Sequence, residues 1–79
     1  MSENNYDGAA KYWREMAGSK NKMLRSKAEY NLALISELNG DIDGAMDWGL
    51  KSFYSYYRYQ TEAYLKKLKE RKETLQKTN

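Results

Sequence analysis

Apolar residues recur along this chain with the spacing of an α-helix, not with the alternation of a β-strand. One stripe within residues 20–38 consists of Met23, Leu24, Ala28, Leu32, Ala33, Ile35 and Leu38. Steps of three and four residues place such side chains on one helical face. The chain has no proline, which breaks helices, and few of the β-branched residues that favour strands. The pattern therefore predicts an all-α fold.

Capping residues and glycines divide the chain into about four helices. Asp7 is a candidate N-cap for a first helix over residues 5–18. A helix-turn-helix pair follows over residues 20–57, and Gly40 is expected to form its turn because glycine tolerates a left-handed backbone. Asp41 or Asp43 is expected to cap the second helix of this pair.

The end of the third helix is the least defined boundary. Neither glycine nor proline follows Gly49, so one continuous helix to the C-terminus remains an alternative. The tyrosine-rich run at residues 54–59 contains poorer helix formers, and we place a break near residues 55–58. A C-terminal capping helix then covers residues 58–79. The expected core comprises Trp13, Leu24, Leu32, Ala33, Ile35, Leu38, Ile42, Ala45, Met46, Trp48 and Phe53.

A short internal repeat supports this organisation. Residues 5–9 align with residues 41–45 at an offset of 36, with three identities in five positions. An aromatic residue follows in both copies, Tyr12 in the first and Trp48 in the second. Each copy opens the second helix of a predicted helix-turn-helix pair, so the chain is expected to begin within a partial repeat.

Residues 28–45 resemble a tetratricopeptide repeat, with the first helix, the Gly-Asp turn and the alanine of the second helix in order. Small residues at Ala33 and Ala45 would allow close approach of the two helices, and Leu32 would fill the space between them. The match is incomplete. Five positions of the repeat pattern carry other residues in this chain. Glu29 replaces the usual tryptophan, Ala33 the glycine and Ser36 the tyrosine. Gly49 replaces the phenylalanine, and Tyr57 the proline. The resemblance implies an antiparallel α-solenoid fragment.

Residues 27–33 and Arg71 also resemble, more loosely, the C-terminal repeat region of uncharacterised Bacteroidales lipoproteins. This second resemblance implies a module of a longer, anchored protein. The compartment then depends on the parent chain. It would be cytoplasmic for a complete small protein, and periplasmic or associated with the outer membrane for a lipoprotein fragment.

Residue content argues against catalysis. The chain contains no cysteine and no histidine, so thiolate chemistry and the commonest general base are missing. The acidic residues Asp41, Asp43 and Asp47 lack the spacing of a calcium loop, and capping explains the first two. We therefore expect no enzyme, no metal site and no cofactor.

The favoured function is non-catalytic binding of a partner peptide or helix. In tetratricopeptide proteins the first helices of successive pairs line a concave face. By resemblance, the residues of this chain on that face are Lys27, Tyr30, Asn31, Leu34 and Glu37. Lys27 and Asn31 lie four residues apart, where together they would hold a carboxylate or a backbone group. Ordinary solvent-exposed helix residues are the alternative interpretation.

The tyrosine content is the second feature that bears on function, because the chain has eight tyrosines among its 79 residues. The candidate interface aromatics are Tyr54, Tyr56, Tyr57 and Tyr59, because tyrosine combines a large contact area with a polar tip. The alternative is that part of this cluster, with Tyr64, fills the core. An interface would support weak self-association, and the runner-up function is accordingly a structural element that caps a solenoid or self-associates without a ligand.

The basic C-terminal segment is the third feature. Residues 62–77 carry a net charge of +3, but glutamates interrupt the lysines and would repel nucleic-acid phosphates. The apolar stripe of this segment is narrow, which disfavours membrane binding. We expect a protein or peptide partner, no nucleic acid and no direct membrane insertion.

Overall fold

The computed structural model describes residues 6–77, and it describes their side chains from residue 7 to residue 75. Within that range the chain forms four α-helices and no strand. The helices are α1 (Tyr6–Met16), α2 (Lys22–Leu38), α3 (Ile42–Ser55) and α4 (Tyr59–Lys77). Each packs against its neighbours in chain order, and the α2–α3 interface is the most extensive. The result is a flat antiparallel array of 41 × 35 × 14 Å, which confirms the all-α prediction.

Local side-chain chemistry sets the boundaries of the central pair. Asn21 caps α2, and its Oδ1 accepts a hydrogen bond of 3.0 Å from the Leu24 amide. Asp41, and not Asp43, caps α3 by accepting from the Gly44 amide at 2.8 Å. Gly40 has a φ of +82°, the left-handed conformation expected of the turn.

The expected boundaries of the first helix need correction. α1 already includes Tyr6, so Asp7 lies in its first turn and is not its N-cap. At that position the carboxylate still faces the positive end of the helix dipole. α1 ends at Met16 and not near residue 18, and α2 begins two residues later than residue 20. The predicted boundary at residue 5 and the last two residues of the predicted 58–79 helix lie outside the described residues.

The break between α3 and α4 is confirmed. Tyr56 has an extended backbone, with φ −163° and ψ 114°, and residues 56–58 are not helical. The amide of Tyr56 still donates to the Ser52 carbonyl at 3.2 Å, which closes the last turn of α3. A single helix running from residue 42 to the C-terminus is therefore excluded.

Four small residues allow α2 and α3 to approach closely. Ser26 and Ala33 on α2, and Ala45 and Ser52 on α3, are all fully buried. The Ser52 hydroxyl donates to the Ser26 carbonyl at 2.7 Å, and the Ser26 hydroxyl lies 2.9 Å from the Ser52 carbonyl. These reciprocal bonds satisfy buried hydroxyls across the interface, so the close approach leaves neither serine unpaired.

The core is smaller than the apolar pattern predicts. Leu32, Ala33 and Ala45 are buried as expected, but Leu38 is 63% exposed and Leu24 is also exposed, which makes both assignments wrong. Leu38 is the last residue of α2, and no neighbouring helix fully covers either side chain in so thin an array. The other predicted core residues, Trp13, Ile35, Ile42, Met46, Trp48 and Phe53, are half-buried.

Helix α4 contributes two core positions that are missing from the expected core. Thr61 and Leu68 are fully buried, and they lie seven residues apart on one face of the helix. Leu65 approaches Gly49 of α3 so closely that a Cβ atom at position 49 would lie 2.7 Å from Leu65 Cδ2. The missing side chain at Gly49 therefore makes room for α4.

Replacing Ala33 with tryptophan tests the close approach of α2 and α3. We expect Ala33→Trp to destabilise the domain by about 3 kcal/mol or more, because no space exists for the indole. For a domain of this size, that lowers Tm by at least about 12 °C. Thermal unfolding followed by circular dichroism measures the change. Lys66→Trp, at an exposed position of α4, is the control that should melt like the wild type, and equal melting of both variants would contradict the packing.

Candidate functional site

One face of α2 is left largely uncovered by the neighbouring helices. We call it the α2 stripe, defined by Met23, Leu24, Lys27, Asn31, Leu34 and Leu38. Asn31 and Leu34 are half-buried, and the other four are exposed. Their spacing of three or four residues makes them neighbours on the helix surface. The stripe is therefore a continuous strip of apolar surface interrupted by one lysine and one amide.

The five residues predicted to line a concave face divide into two groups. Lys27, Asn31 and Leu34 belong to the α2 stripe. Tyr30 and Glu37 instead contact α4. The rings of Tyr30 and Tyr64 meet edge to face, with centroids 5.3 Å apart, and Glu37 forms an ion pair with Arg71. Thus α4 covers the flank of α2 that carries the second group.

Tyr64 joins α4 to the end of α2. Its hydroxyl lies 2.9 Å from Glu37 Oε1 and 3.2 Å from the Ala33 carbonyl, and it donates to these acceptors. Partial burial, together with the hydrogen bond to Glu37, raises the pKa of Tyr64 well above its usual value. Lys72 and Asp43 add an ion pair of 2.7 Å between α4 and α3, but both side chains are solvent-exposed and contribute little.

Arg58 lies beside the stripe, in the connection between α3 and α4. Its guanidinium stacks over the Tyr30 ring, 5.4 Å from the centroid, and Nη1 makes only a long contact of 3.4 Å with Gln60. The Nε and Nη2 atoms are buried and have no hydrogen-bond acceptor among the described residues. Sequence reasoning missed Arg58, and the only signal was a single cation within the tyrosine-rich run.

The carboxylates of α2 are already engaged within the fold. Glu29 is only 6% exposed, and its Oε1 accepts a hydrogen bond of 2.6 Å from the Ser55 hydroxyl. Ser55 Oγ in turn accepts from Arg25 Nε at 3.0 Å. Glu37, the other glutamate of α2, is paired with Arg71, so the exposed charged residues of this helix are lysines. These residues are Lys22 and Lys27, and Lys20 is exposed just before the helix begins.

The four candidate interface tyrosines are all exposed. Tyr54 and Tyr59 are the most accessible, at 79% and 74%. Phe53 is half-buried and meets Tyr54 and Tyr57 edge to face, with centroid distances of 5.5 and 5.6 Å. The Tyr57 hydroxyl donates to Glu62 at 2.6 Å, and this bond raises the pKa of Tyr57. The alternative role, filling the core, is therefore wrong for these four residues.

Neither a metal-binding cluster nor an enclosed pocket occurs in the part of the chain that the structure describes. Within it, no three histidine, cysteine, aspartate or glutamate residues come close enough together to hold a metal ion. The same residues enclose no pocket. None of the four helices, over their described lengths, is long and apolar enough to span a membrane.

The hydroxyl of Tyr64 should make the free energy of unfolding depend on pH in alkaline solution. A pKa raised by folding means that the folded chain holds this proton more tightly than the unfolded chain. Its contribution is complete below about pH 10, the ordinary tyrosine pKa, and is lost as the pH rises further. Tyr64→Phe should cost about 1–2 kcal/mol at pH 7, because it removes a hydrogen bond to a charged acceptor.

The difference in unfolding free energy between the wild type and Tyr64→Phe should narrow above about pH 10. Urea denaturation at several pH values measures it. Tyr54→Phe, at an exposed position without a recorded hydrogen bond, serves as the control and should follow the wild type. A constant difference across this pH range would show that the Tyr64 hydroxyl is not held as described.

Comparison with known proteins identifies a family. A family model described as a domain of unknown function (DUF6340) matches residues 1–75, and the chain therefore belongs to that family. Searches of curated proteins and of solved structures found no match.

Proposed function

We propose that this DUF6340 domain is a non-catalytic protein–protein interaction module that binds an extended peptide or a helix on the α2 stripe. The observation that supports the proposal most directly is the stripe itself, an exposed strip of apolar side chains on the central helix. Contiguous exposed apolar surface on a soluble domain is characteristic of interaction sites. The lack of histidine and cysteine supports the non-catalytic part of the proposal.

The stripe offers two kinds of contact to a bound segment. Met23, Leu24, Leu34 and Leu38 would contact apolar side chains of a partner along more than three turns of α2. Lys27 and Asn31, at adjacent positions near its middle, offer donors to carboxylate or backbone oxygens. This combination of apolar anchors and a few polar groups is typical of helix-in-groove recognition.

A tetratricopeptide-like arrangement is part of the proposal. It is supported by the relation between α2 and α4, which run parallel. Two contacting pairs, Tyr30 with Tyr64 and Glu37 with Arg71, share a separation of 34 residues, the length of that repeat. The thin core supports a module of a larger protein, since solenoid repeats gain stability from neighbouring repeats.

Selection from a random peptide library displayed on phage tests the proposal. The immobilised wild-type domain should enrich peptides that bind it. Those peptides should lose most of their binding to a Lys27→Ala/Asn31→Ala variant and to Leu34→Asp, because these substitutions remove the polar and apolar contacts of the stripe. Binding of individual peptides to each variant, measured by biolayer interferometry, gives the result.

The matched control is Lys66→Ala/Glu70→Ala. These exposed residues have the same spacing on α4, on the face opposite the buried Thr61 and Leu68. The control should bind the selected peptides as the wild type does. Peptides that bind the stripe variants and the control equally well would place the binding surface elsewhere and refute the proposal.

Self-association is the second candidate function, and the exposed tyrosines favour it. Tyr54, Tyr57 and Tyr59 present a large aromatic surface at one end of α3. In this alternative the domain is a structural element that caps a solenoid or pairs with another copy, without a ligand of its own. Tyrosine-rich surfaces are common in protein interfaces.

Sedimentation velocity distinguishes the two functions. The binding-module proposal predicts a monomer over the accessible concentration range. The alternative predicts a concentration-dependent dimer that Tyr54→Ser/Tyr57→Ser converts to a monomer. The control is Tyr12→Ser, which removes an exposed tyrosine from α1, outside the cluster. A dimer that survives the double substitution would contradict the assignment of the tyrosines as its interface.

A further inference from the structure

The unpaired edge of Arg58 has a defined chemical complement. In a planar guanidinium, the Nε–H bond and one Nη2–H bond point in parallel directions and form a fork. This fork matches the two oxygens of a carboxylate, and the paired arrangement is stronger than a single hydrogen bond. In Arg58 these are the two atoms that lack an acceptor among the described residues. Buried donors without an acceptor are costly, so an acceptor that reached them would stabilise the domain.

The position of Arg58 relates this fork to the α2 stripe. Its guanidinium lies over the ring of Tyr30. On helix α2, Tyr30 is three residues from Lys27 and four from Leu34, and both are therefore its surface neighbours. Arg58 belongs to the short connection at residues 56–58, and its side chain as a whole is only half-buried. Because Nε and Nη2 are buried in this structure, the side chain has to rotate before the fork can pair with a segment lying on the stripe.

The charges around the stripe also favour a partner that carries carboxylates. Lys27 is exposed on the stripe, whereas the two glutamates of α2 are bonded within the fold. A bound segment would therefore meet Lys27 on the stripe and Arg58 beside it, and neither glutamate of α2 would be free to repel its carboxylates. Complementary charge increases the specificity and the rate of association.

On the basis of the function proposed above, we propose that the partner of the α2 stripe is an acidic amphipathic segment. Its apolar side chains pack on Leu24, Leu34 and Leu38, and one of its carboxylates pairs with the Nε and Nη2 atoms of Arg58. The apolar content of the stripe favours a peptide over a nucleic acid, whose backbone offers phosphates but no apolar side chains. The occupant is thus defined by charge and by amphipathicity.

Three synthetic peptides of equal length test this inference. All carry leucines at the spacing of one helical face, and the remaining positions are glutamate in the first, glutamine in the second and lysine in the third. Each is titrated into the uniformly ¹⁵N-labelled domain at low ionic strength and followed by amide chemical shifts. The glutamate peptide should bind about tenfold more tightly than the glutamine peptide, as expected for one charge-assisted pair. The lysine peptide should bind most weakly, and the shifts should concentrate on the stripe and on residues 56–60.

Variants of Arg58 distinguish the contribution of its two parallel N–H bonds from the contribution of its positive charge. Arg58→Gln should remove most of the preference for glutamate, leaving the smaller part that Lys27 contributes, and should leave the affinity for the glutamine peptide unchanged. Arg58→Lys keeps the charge but lacks the fork, so it should lose most of the same preference. The matched control is Lys66→Gln, which removes one cation from an exposed position of α4 and should retain the tenfold preference. Thermal melting of each variant checks that it is folded.

The possible results distinguish this inference from the proposed function. Equal binding of the glutamate and glutamine peptides to the stripe would overturn the acidic partner and leave peptide binding intact. A glutamate preference that stays about tenfold in both Arg58 variants would overturn the role of Arg58. If a peptide with phosphoserine in place of glutamate binds more tightly than the glutamate peptide, the group that pairs with Arg58 is a phosphate, and the assignment of a carboxylate is overturned. Failure of all three peptides to shift the stripe would overturn the inference and the proposed function together.

Discussion

The close approach of α2 and α3 is the constraint on which the rest of this structure depends. Two serines and two alanines, Ser26, Ala33, Ala45 and Ser52, are fully buried between the helices. Side chains of this size bring the two backbones close enough for each serine hydroxyl to lie within hydrogen-bond distance of the carbonyl of the other serine. Larger residues would separate the helices, and the buried hydroxyls would then lose their partners, at a cost comparable to that of the packing itself.

This interface fixes the rotation of α2 about its own axis, and the rotation assigns a role to each of its faces. One face carries Ser26, Ala33 and Glu29, whose carboxylate reaches Ser55 of α3. A second flank turns Tyr30 and Glu37 towards α4. The α2 stripe is the remaining face. Its exposure is thus a consequence of packing elsewhere, and both proposals for its function depend on the rotation that the small residues impose.

Polar groups specify much of this packing because the array is too thin to build a large apolar core. Reciprocal serine bonds define how α2 meets α3, and the Tyr64 hydroxyl, with acceptors on Ala33 and Glu37, defines how α4 meets α2. Such directional contacts select one register, whereas apolar surfaces tolerate sliding. The same reliance on polar contacts leaves large apolar side chains such as Leu38 in solvent, available to another molecule.

The sequence by itself determined the number and order of the helices and the turn and break that follow α2 and α3, because these depend on local chemistry. Asn21 and Asp41 cap the starts of α2 and α3, and Gly40 forms the turn between them, all through contacts within a few residues. The tyrosine-rich run separates α3 from α4 where expected. Only the tertiary structure decided which apolar residues are buried. The periodic pattern places Leu24 and Leu38 on a helix face, but it does not say whether a neighbouring helix reaches that face. For the same reason the sequence did not reveal that Tyr30 and Glu37 meet α4, or that Arg58 stacks on Tyr30 with two donors unpaired. Those contacts join residues about 30 positions apart, and the packing of the helices alone brings them together.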